Sequence, residues 1–478
     1  MTGSDWDPTA PVTTATRPGA EALRAVVVGV GTVGLHHALA FAAAGVDVVG
    51  FDVDESVVAA YRRGVDATGT VGDAAVADSD CSFTTDAACI EAADVVFVSV
   101  PTRHDEHASG DVPVVRAAAE TVGERLSPET TVVLESTVPP GATTDVLAPT
   151  LEATADLAAG DAFAVAHSPV RLSPGGPRGE WRTRTKLVGA PRRSVARDVA
   201  TLYEDVYDDV CVVDDPATAA AAKCVENVHR DVNVALVNEL ASALDALDLD
   251  AAAVLDAAAT KWNVPRLEPG LVGGTCLPED PLLFADRVAA AGGSTPLVRT
   301  ARAVNDAVPA VVASATADAL AAAREPDAAG VCADGAGDDT DADAADASRN
   351  ESAEGDAVPG DPTVLLLGLA YKPDVADLAG TRSDDVAAHL GTLGVDVVGH
   401  DPLVDAERAA SALPFDVRAD RPFEGVDGVV VLVAHAAFAD LTLDDVAAAC
   451  PSRPVVVDVP RLFDRERAAS ADVQYRCP

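Results

Sequence analysis

Short apolar runs that alternate with Ala-rich, helix-length stretches are the feature that most limits how this chain can fold. The runs include AVVV before Gly29, DVVFVSVP around Val98 and TTVVLEST around Leu134. They are apolar at successive positions, which is typical of strands buried on both faces of a parallel sheet. From about Arg24 to Asp214 the pattern therefore predicts such a sheet with helices on both sides.

The strand pattern stops near Pro216 and returns near Thr363. Between these positions, Ala/Leu-rich patterns predict helices, one of them long. They are followed by a segment rich in Asp, Ala and Gly, which has too few apolar residues to offset the entropy lost on ordering. The expected class is α/β, with two Rossmann-like doubly wound parallel-sheet domains joined by a central α-helical domain. The predicted boundaries are 1–20 for a disordered tail, 21–214 for the first α/β domain, 215–323 for the helical domain, 324–361 for an acidic disordered linker and 362–478 for the second α/β domain.

The net charge is extreme. There are 77 acidic against 34 basic side chains, giving a formal charge of -43. Such self-repulsion destabilises a compact state unless salt screens it. With Arg strongly preferred to Lys, this composition predicts a protein adapted to a salt-rich cytoplasm, and it argues against nucleic acid or an anionic membrane as partners. The N-terminal residues lack signal-peptide features, and no unbroken apolar run is long enough to cross a bilayer.

The cysteines predict neither disulfides nor a metal site. The eight cysteines form no CxxC pair and no zinc spacing, so we expect no metal and a reducing compartment. Because lysine is so scarce, each lysine is a candidate for a specific role. It occurs only at Lys186, Lys223, Lys261 and Lys372.

A glycine motif follows the first predicted strand, in the segment from Gly29 to Gly34. In this context the glycines allow a tight turn, close approach of a pyrophosphate, and packing of helix on strand. Asp52 ends the next strand, where its carboxylate can bind a ribose and repel a 2'-phosphate, which favours NAD over NADP. The alternative is an unrelated glycine turn. The residues predicted to bind NAD are Gly29, Gly31, Thr32, Val33, Gly34, Asp52, Pro101 and Thr102.

The stretch GLVGGTCLPED, residues 270–280, is the best candidate for chemistry. Its glycines allow the backbone to close around a substrate, and Asp280 follows Cys276 by four residues, close enough to serve a water or the thiol. Lys223 and Asn227 share one face of the predicted long helix, where they could stabilise an oxyanion. The alternatives are a buried, inert thiol and a lysine that extends to solvent.

Several motifs together resemble one family. GVGTVGL, VPT, ESTVPPGATT, AKCVENVHRDVNVALVNEL, GLVGGTCLPEDP, LVRTARAVND and GLAYKPDVADL occur in an order and spacing similar to the UDP-glucose/GDP-mannose dehydrogenase family, over almost the whole folded length. The resemblance implies that the first domain binds NAD and the last a nucleotide sugar. It also implies a four-electron oxidation of the sugar C6 alcohol to a carboxylate, with a thiohemiacetal and then a thioester on the cysteine.

The same resemblance assigns roles to individual residues. Cys276 would be the nucleophile, Lys223 and Asn227 would stabilise the oxyanion, and Asp280 and Thr137 would position or activate water. The residues implied to bind the substrate are Arg230, Gly273, Gly274 and Lys372. The segments ENVHRDVNVALVNEL and LVRTARAVND are most similar to the branch that acts on UDP-N-acetylhexosamines, particularly UDP-N-acetylmannosamine; UDP-N-acetylglucosamine and UDP-glucose are the alternatives. The long helix is expected to form a homodimer or a higher homo-oligomer.

The chain departs from the family pattern at three places. Val170 stands where the family has a glutamate that is implied in thioester hydrolysis, and Ala379 stands where it has an arginine, with Arg382 three residues later. The usual Asp-x-Arg begins at Asp458 but has its arginine displaced to 461. These departures keep open a degenerate paralogue that binds a nucleotide sugar without turnover. The fold also leaves open a two-electron dehydrogenase of the 6-phosphogluconate or 3-hydroxyacid type, which needs no cysteine.

Overall fold

The computed structural model describes residues 23–102, 112–171, 180–247, 249–324, 358, 360–420, 422–450, 454–468 and 471–477. The predicted tail over 1–20 and nearly all of the predicted linker lie outside these residues. The Cα positions divide the chain into two compact units. The first comprises Met1–Val232 and Thr275–Thr300, and the second comprises Asn233–Gly274 and Ala301–Pro478.

The first unit contains an eight-stranded sheet. Its strands are β1 (Arg24–Val28), β2 (Asp47–Phe51), β3 (Ser82–Thr84), β4 (Val95–Val98), β5 (Thr131–Leu134), β6 (Ala164–His167), β7 (Lys186–Gly189) and β8 (Val210–Val213). Its helices up to β8 are α1 (Thr32–Ala43), α2 (Glu55–Arg62), α3 (Asp73–Ala77), α4 (Pro113–Gly123), α5 (Ala148–Ala155) and α6 (Arg193–Glu204). The strand order is β3-β2-β1-β4-β5-β6-β7-β8, so the order reverses between β1 and β4. In doubly wound sheets, ligands bind outside the carboxyl ends of the strands at this reversal.

The apolar runs of the sequence are explained by cores on both faces of this sheet. Successive side chains of a strand point to opposite faces, and in β1 Val27 joins one buried cluster while Val26 and Val28 join the other. Fully burying one such side chain is worth about 1.5–3 kcal/mol. The predicted fold class is therefore confirmed, with one difference: β6 pairs antiparallel with β7. An antiparallel pair needs no crossover helix, which lets the chain reverse after His167.

The central helices follow the first sheet. They are α7 (Pro216–Asp245), α8 (Ala251–Ala259), α9 (Asp280–Ala290) and α10 (Pro296–Arg324). The long helix expected from the sequence is α7. By length and composition alone α10 could cross a membrane. Buried α10 residues such as Val312, Ala313 and Leu320 belong to a core cluster of the second unit.

The second unit contains a six-stranded, all-parallel sheet in the order β11-β10-β9-β12-β13-β14. Its strands are β9 (Thr363–Leu367), β10 (Asp396–His400), β11 (Asp416–Val417), β12 (Gly428–Val431), β13 (Val455–Asp458) and β14 (Gln474–Arg476). Its remaining helices are α11 (Ser383–Thr392), α12 (Ala406–Ala412), α13 (Leu443–Ala449) and α14 (Arg465–Ala468). The order again reverses, here between β9 and β12, so this unit has a second ligand-binding edge of the same kind.

Candidate active site

The glycine loop after β1 has the geometry of a dinucleotide turn. Gly29 has a φ of +85°, which a residue with a Cβ rarely adopts. A Cβ on Gly34 would lie 1.8 Å from the Gly29 carbonyl oxygen, so only glycine lets α1 pack this closely on the turn. At Gly31 a Cβ would meet no described atom within 4 Å. The open space therefore lies at the start of α1, where a pyrophosphate fits.

Backbone donors remain available at the start of α1. Gly31 is the N-cap residue; among the described residues no side chain caps this end, and the first turn contains no acidic residue. Free N–H groups and the positive end of the helix dipole together favour a bound anion. Asp52 supports the loop, because its Oδ2 accepts from Val30 N at 2.9 Å and its Oδ1 from Asp54 N at 3.0 Å. These residues fit NAD.

Two other loops meet at the same edge of the sheet. The Ser136 hydroxyl donates to the Val100 carbonyl oxygen at 2.6 Å, and the Thr102 hydroxyl donates to the Thr137 carbonyl oxygen at 2.7 Å. The loop after β4, with the predicted cofactor residues Pro101 and Thr102, is thus tied to the loop after β5, with the predicted catalytic Thr137. The hydroxyl of Thr102 is used in this contact.

Asp280 is a buried carboxylate that faces the predicted catalytic face of α7. It is 4% exposed, and Asn227 Nδ2 donates to its Oδ2. Burial raises the pKa of Asp280 to about 6 against the opposing charge of Lys223 and the Asn227 hydrogen bond. A carboxyl group with a pKa in this range can exchange protons near neutral pH.

Cys276 lies just before α9, and its carbonyl oxygen accepts from Asp280 N at 2.9 Å. The residue is exposed. The protein atoms around the sulfur and the Asp280 carboxylate nevertheless raise the pKa of the thiol, while Lys223 and the neighbouring Thr275 hydroxyl act in the opposite direction. Because the thiolate is the nucleophilic form, this thiol needs a base, and Asp280 is a carboxylate whose charge acts on the thiol and whose own pKa is raised.

Further contacts hold the surrounding segments together. The Cys224 thiol lies 3.8 Å from the Val138 carbonyl oxygen, which brings the neighbour of Lys223 against the neighbour of Thr137. Arg287 of α9 donates from Nε to the Pro140 carbonyl oxygen at 2.9 Å. The loop after β5, the first half of α7 and helix α9 therefore converge. This brings the neighbourhoods of all five predicted catalytic residues together within the first unit.

The segment around Val170 is connected to the same helix. Arg171, the next residue, donates from Nε to Glu226 Oε1 at 2.9 Å, and Glu226 precedes Asn227 on α7. Lys186 donates to the carbonyl oxygens of Ser168 at 3.1 Å and Pro169 at 3.3 Å. The turn that carries Val170 is therefore fixed from both sides. Val170 itself cannot carry a proton.

A fully buried polar cluster beneath these loops was missed by the sequence analysis. At its centre Glu135 accepts hydrogen bonds from His37, Ser99 and Tyr203 and pairs with Lys186. Burial lowers the pKa of His37. Burial acts to raise the pKa of Glu135, but the charges of His37 and Lys186 and the hydrogen bonds around the carboxylate outweigh it and lower that pKa. The scarcity of lysine was the one signal that pointed towards Lys186.

In the second unit, Gly273 and Gly274, the two glycines predicted to bind substrate, pack against the loop that carries Lys372. Gly274 N donates to the Gly380 carbonyl oxygen at 2.8 Å, and a Cβ on Gly274 would lie 2.8 Å from the ring of Tyr371, the neighbour of Lys372. A Cβ on Gly273 would lie 3.5 Å from Arg382 Cγ. Arg382, which follows the position of the missing family arginine by three residues, thus lies beside the glycines predicted to bind substrate.

The remaining predicted residues show no such convergence. Arg230, predicted to bind substrate, is an exposed residue of α7 in the first unit. Asp458 is buried and accepts from Leu462 N, Phe463 N and the Tyr475 hydroxyl, so it shapes its own loop. Within the described ranges no group of three or more His, Cys, Asp or Glu residues is arranged to hold a metal.

A dinucleotide fold with an acidic residue after β2, and a second Rossmann-like unit, defines a dinucleotide-dependent oxidoreductase. Three family models match the chain: the NAD binding domain of the UDP-glucose/GDP-mannose dehydrogenase family over residues 23–207, its central domain over 217–307 and its UDP binding domain over 365–465. The protein belongs to the UDP-glucose/GDP-mannose dehydrogenase family and is an NAD-dependent nucleotide-sugar dehydrogenase.

Individual relatives agree with this assignment. The chain is 31% identical over 448 residues to UDP-N-acetyl-D-glucosamine 6-dehydrogenase of Pseudomonas aeruginosa, covering 93% of this chain and 98% of the relative. It is 33% identical over 410 residues to Protein CapL of Staphylococcus aureus, covering 86% and 89%. The solved structure of UDP-N-acetyl-D-mannosamine dehydrogenase from Pyrococcus horikoshii is similar with a TM-score of 0.76 at 25% identity, covering 93% of this chain and 96% of that one.

Proposed function

We propose that this enzyme oxidises the C6 alcohol of a UDP-N-acetylhexosamine to the carboxylate, with Cys276 as the nucleophile. The observation that carries the proposal is that Asn227 donates to the buried Asp280 carboxylate, and that the charges of Asp280 and Lys223 both act on the Cys276 thiol. In the balanced reaction one alcohol, two NAD and one water give one carboxylate, two NADH and three protons. The loop from Gly29 to Gly34 and Asp52 would hold NAD, which would supply the acceptor for two hydrides, one from the C6 alcohol to give the aldehyde and one from the thiohemiacetal.

The residues around Cys276 support each covalent step. Asp280 takes the thiol proton, and the thiolate attacks the C6 aldehyde to form a C–S bond. Negative charge then develops on the former carbonyl oxygen, where the Lys223 ammonium and the Asn227 amide can stabilise it. Loss of the second hydride leaves a thioester. Water attacks the thioester carbon, the C–S bond breaks, and the thiol recovers its proton.

Thioester hydrolysis needs a base, and the proposal assigns this role to Asp280. Val170 replaces the glutamate expected from the family pattern and cannot accept a proton. The pKa of Asp280, raised to about 6, makes its carboxylate a competent base at neutral pH. Thr137, on the loop fixed through Thr102, is proposed to position the water, while Arg230, Gly273, Gly274 and Lys372 are proposed to bind the nucleotide sugar.

Two epimers are the candidates for the sugar. The motifs after Lys223 and in LVRTARAVND favour UDP-N-acetylmannosamine, and relatives of that activity cover most of the chain at 27% identity. The P. aeruginosa relative, at 31% identity, favours UDP-N-acetylglucosamine. Comparing kcat/KM for both epimers and for UDP-glucose in concentrated KCl tests the proposal. Preference for one N-acetylhexosamine supports it, and preference for UDP-glucose contradicts it.

The same assay separates the other readings. A two-electron dehydrogenase would not depend on Cys276, and a degenerate paralogue would bind a nucleotide sugar without forming NADH. The ordered Asp280–Asn227 contact beside Cys276 favours an enzyme that uses the thiol, because a paralogue without chemistry has no need for a buried carboxylate at that point.

We also propose that the protein is a homodimer or higher homo-oligomer in a salt-rich cytoplasm, with domains over 21–214, 215–323 and 362–478. Leu236 and Leu240 of α7 and Val311 of α10 are 50%, 39% and 43% exposed. Beside them, α7, α10 and the segment around Gly270 line a mainly apolar cavity of about 260 Å³. Exposed apolar surface of this kind favours association. Light scattering in concentrated KCl tests the oligomeric state, and a monomer would contradict it.

A further inference from the structure

A buried hydrogen-bonded network lies at the ligand-binding edge of the second sheet. Asp401 follows β10 and is 6% exposed, and His435 follows β12 and is 1% exposed. His435 Nε2 and Asp401 Oδ2 are 3.0 Å apart. No sequence motif identified these two residues, and neither belongs to the predicted site.

Asp401 fixes the start of the loop that carries Lys372. We define the Lys372 loop as residues 369–374. Asp401 Oδ2 accepts from Leu369 N at 2.7 Å and Ala370 N at 3.0 Å. The hydrogen bond from His435 and the backbone hydrogen bonds from Leu403 and Ala370 outweigh burial and lower the pKa of Asp401 to about 2. It is therefore an anion at any working pH, and the start of the loop is bound to a fixed charge.

His435 fixes the other end of the same loop. Asp374 N donates to His435 Nδ1 at 2.9 Å. Because a backbone N–H is always a donor, Nδ1 must be the acceptor, so the ring proton resides on Nε2 and is donated to Asp401. One neutral tautomer of His435 therefore joins the carboxylate that holds the start of the loop to the backbone that ends it.

The end of the loop is strained and depends on this support. Asp374 has a φ of +60°, in the left-handed region that residues with a Cβ rarely adopt. Such a conformation costs on the order of 1–3 kcal/mol unless the surroundings hold it. Besides the His435 bond, Asp374 Oδ1 accepts from Ala436 N at 2.7 Å. Without the acceptor on His435, the backbone N–H of Asp374 loses its partner, and the backbone at Asp374 can relax two residues from Lys372.

We propose that His435 and Asp401 are positioning residues for substrate binding: they hold the Lys372 loop in the conformation in which Lys372 binds the diphosphate of the nucleotide sugar. The inference rests on the proposed role of Lys372. The strand order supports it, because β9 and β12 are the neighbours between which the order reverses. The Lys372 loop and His435 follow these two strands, where ligands of such sheets bind.

Two substitutions separate positioning from general stability. His435→Asn keeps an oxygen near the position of Nδ1, so Asp374 keeps its acceptor, whereas His435→Gln keeps a donor near Nε2 and loses that acceptor. Both remove a buried imidazole. We expect His435→Gln to raise the Kd for UDP and the KM for the nucleotide sugar about tenfold, with kcat nearly unchanged, and His435→Asn to change both less than about twofold.

A double-mutant cycle tests whether the effect passes through Lys372. In a Lys372→Met background, His435→Gln should weaken UDP binding no further. Thr442→Ala removes a capping box of α13 in the same unit and controls for lost stability, so its Kd for UDP should equal that of the wild type. UDP binding by calorimetry on the full chain needs no turnover, so the result does not depend on the oxidation chemistry.

The outcomes are distinct. A larger Kd for His435→Gln than for His435→Asn, abolished in the Lys372→Met background, supports the inference even if no sugar is oxidised. Equal Kd values for the two His435 variants overturn it, as does an undiminished effect without Lys372 or a wild-type protein that does not bind UDP. Oxidation of nucleotide sugars with unchanged KM in His435→Gln overturns it while leaving the proposed function intact.

Discussion

Replacing Asp280 by asparagine should make the protein more stable and less active. The pKa of the buried carboxyl is raised from 3.8 to about 6, so the fold disfavours the ionised form. One pKa unit corresponds to about 1.4 kcal/mol, and this shift therefore amounts to about 3 kcal/mol above pH 6. Asparagine has nearly the shape of the protonated acid and can still accept the Asn227 hydrogen bond, so it should recover most of this free energy.

The sign of the pH dependence follows from the same shift. Between pH 3.8 and 6 the folded carboxyl keeps a proton that the unfolded chain has lost, so wild-type stability falls as pH rises through this window. The advantage of Asp280→Asn should be close to zero below pH 3.8, about half of its full value at pH 5 and about 3 kcal/mol at pH 8. Denaturant unfolding of both proteins in concentrated KCl measures it.

Asp80 provides a matched control because it is an exposed acid of the first unit. Asp80→Asn removes the same charge from the chain without relieving burial, so it should not reproduce the pH-dependent gain. Turnover should fall in Asp280→Asn because the variant has no base for thioester hydrolysis. A variant less stable than the wild type at pH 8, or a gain that does not change with pH, would refute the reasoning from burial.

Four further changes test other parts of the structure. Cys276→Ser should abolish net acid formation while NAD still binds, and acid formed at the wild-type rate would rule out the proposed nucleophile. Gly34→Ala should lower stability by about 3 kcal/mol or more, because its Cβ would lie 1.8 Å from a backbone oxygen. Gly31→Ala should keep the melting temperature and weaken NAD binding, and equal melting temperatures of the two variants would contradict the loop geometry. With a net charge of -43, the protein should lose structure and activity in about 0.1 M KCl and regain both in about 2 M KCl; equal circular-dichroism melting in the two would refute salt adaptation.

The fold was predictable because its signals are local. The run AVVV and the glycines from Gly29 to Gly34 specify a buried strand, a tight turn and a helix start within about ten residues. The long helix α7 was equally visible. The antiparallel pairing of β6 with β7 was not, because strand direction depends on how the intervening chain returns, and no local pattern around His167 encodes it.

The candidate site was predictable in its residue types and less so in its contacts. The glycines beside Cys276 and the spacing of Lys223 and Asn227 were readable, but the Asn227–Asp280 hydrogen bond joins residues 53 apart, and the raised pKa of Asp280 follows from burial. The cluster around Glu135 draws side chains from separate strands and helices, and the Asp401–His435 pair joins residues 34 apart. Such polar contacts arise from tertiary packing, which sequence periodicity does not report.

The most direct test of the proposed chemistry is the number of NADH molecules formed per molecule of sugar acid, measured with the preferred UDP-N-acetylhexosamine in concentrated KCl. The expected ratio is about two, because the alcohol and the thiohemiacetal each lose a hydride and Asp280 then supports hydrolysis. A ratio of about one, with aldehyde as the released product, would contradict the role assigned to Cys276 and Asp280.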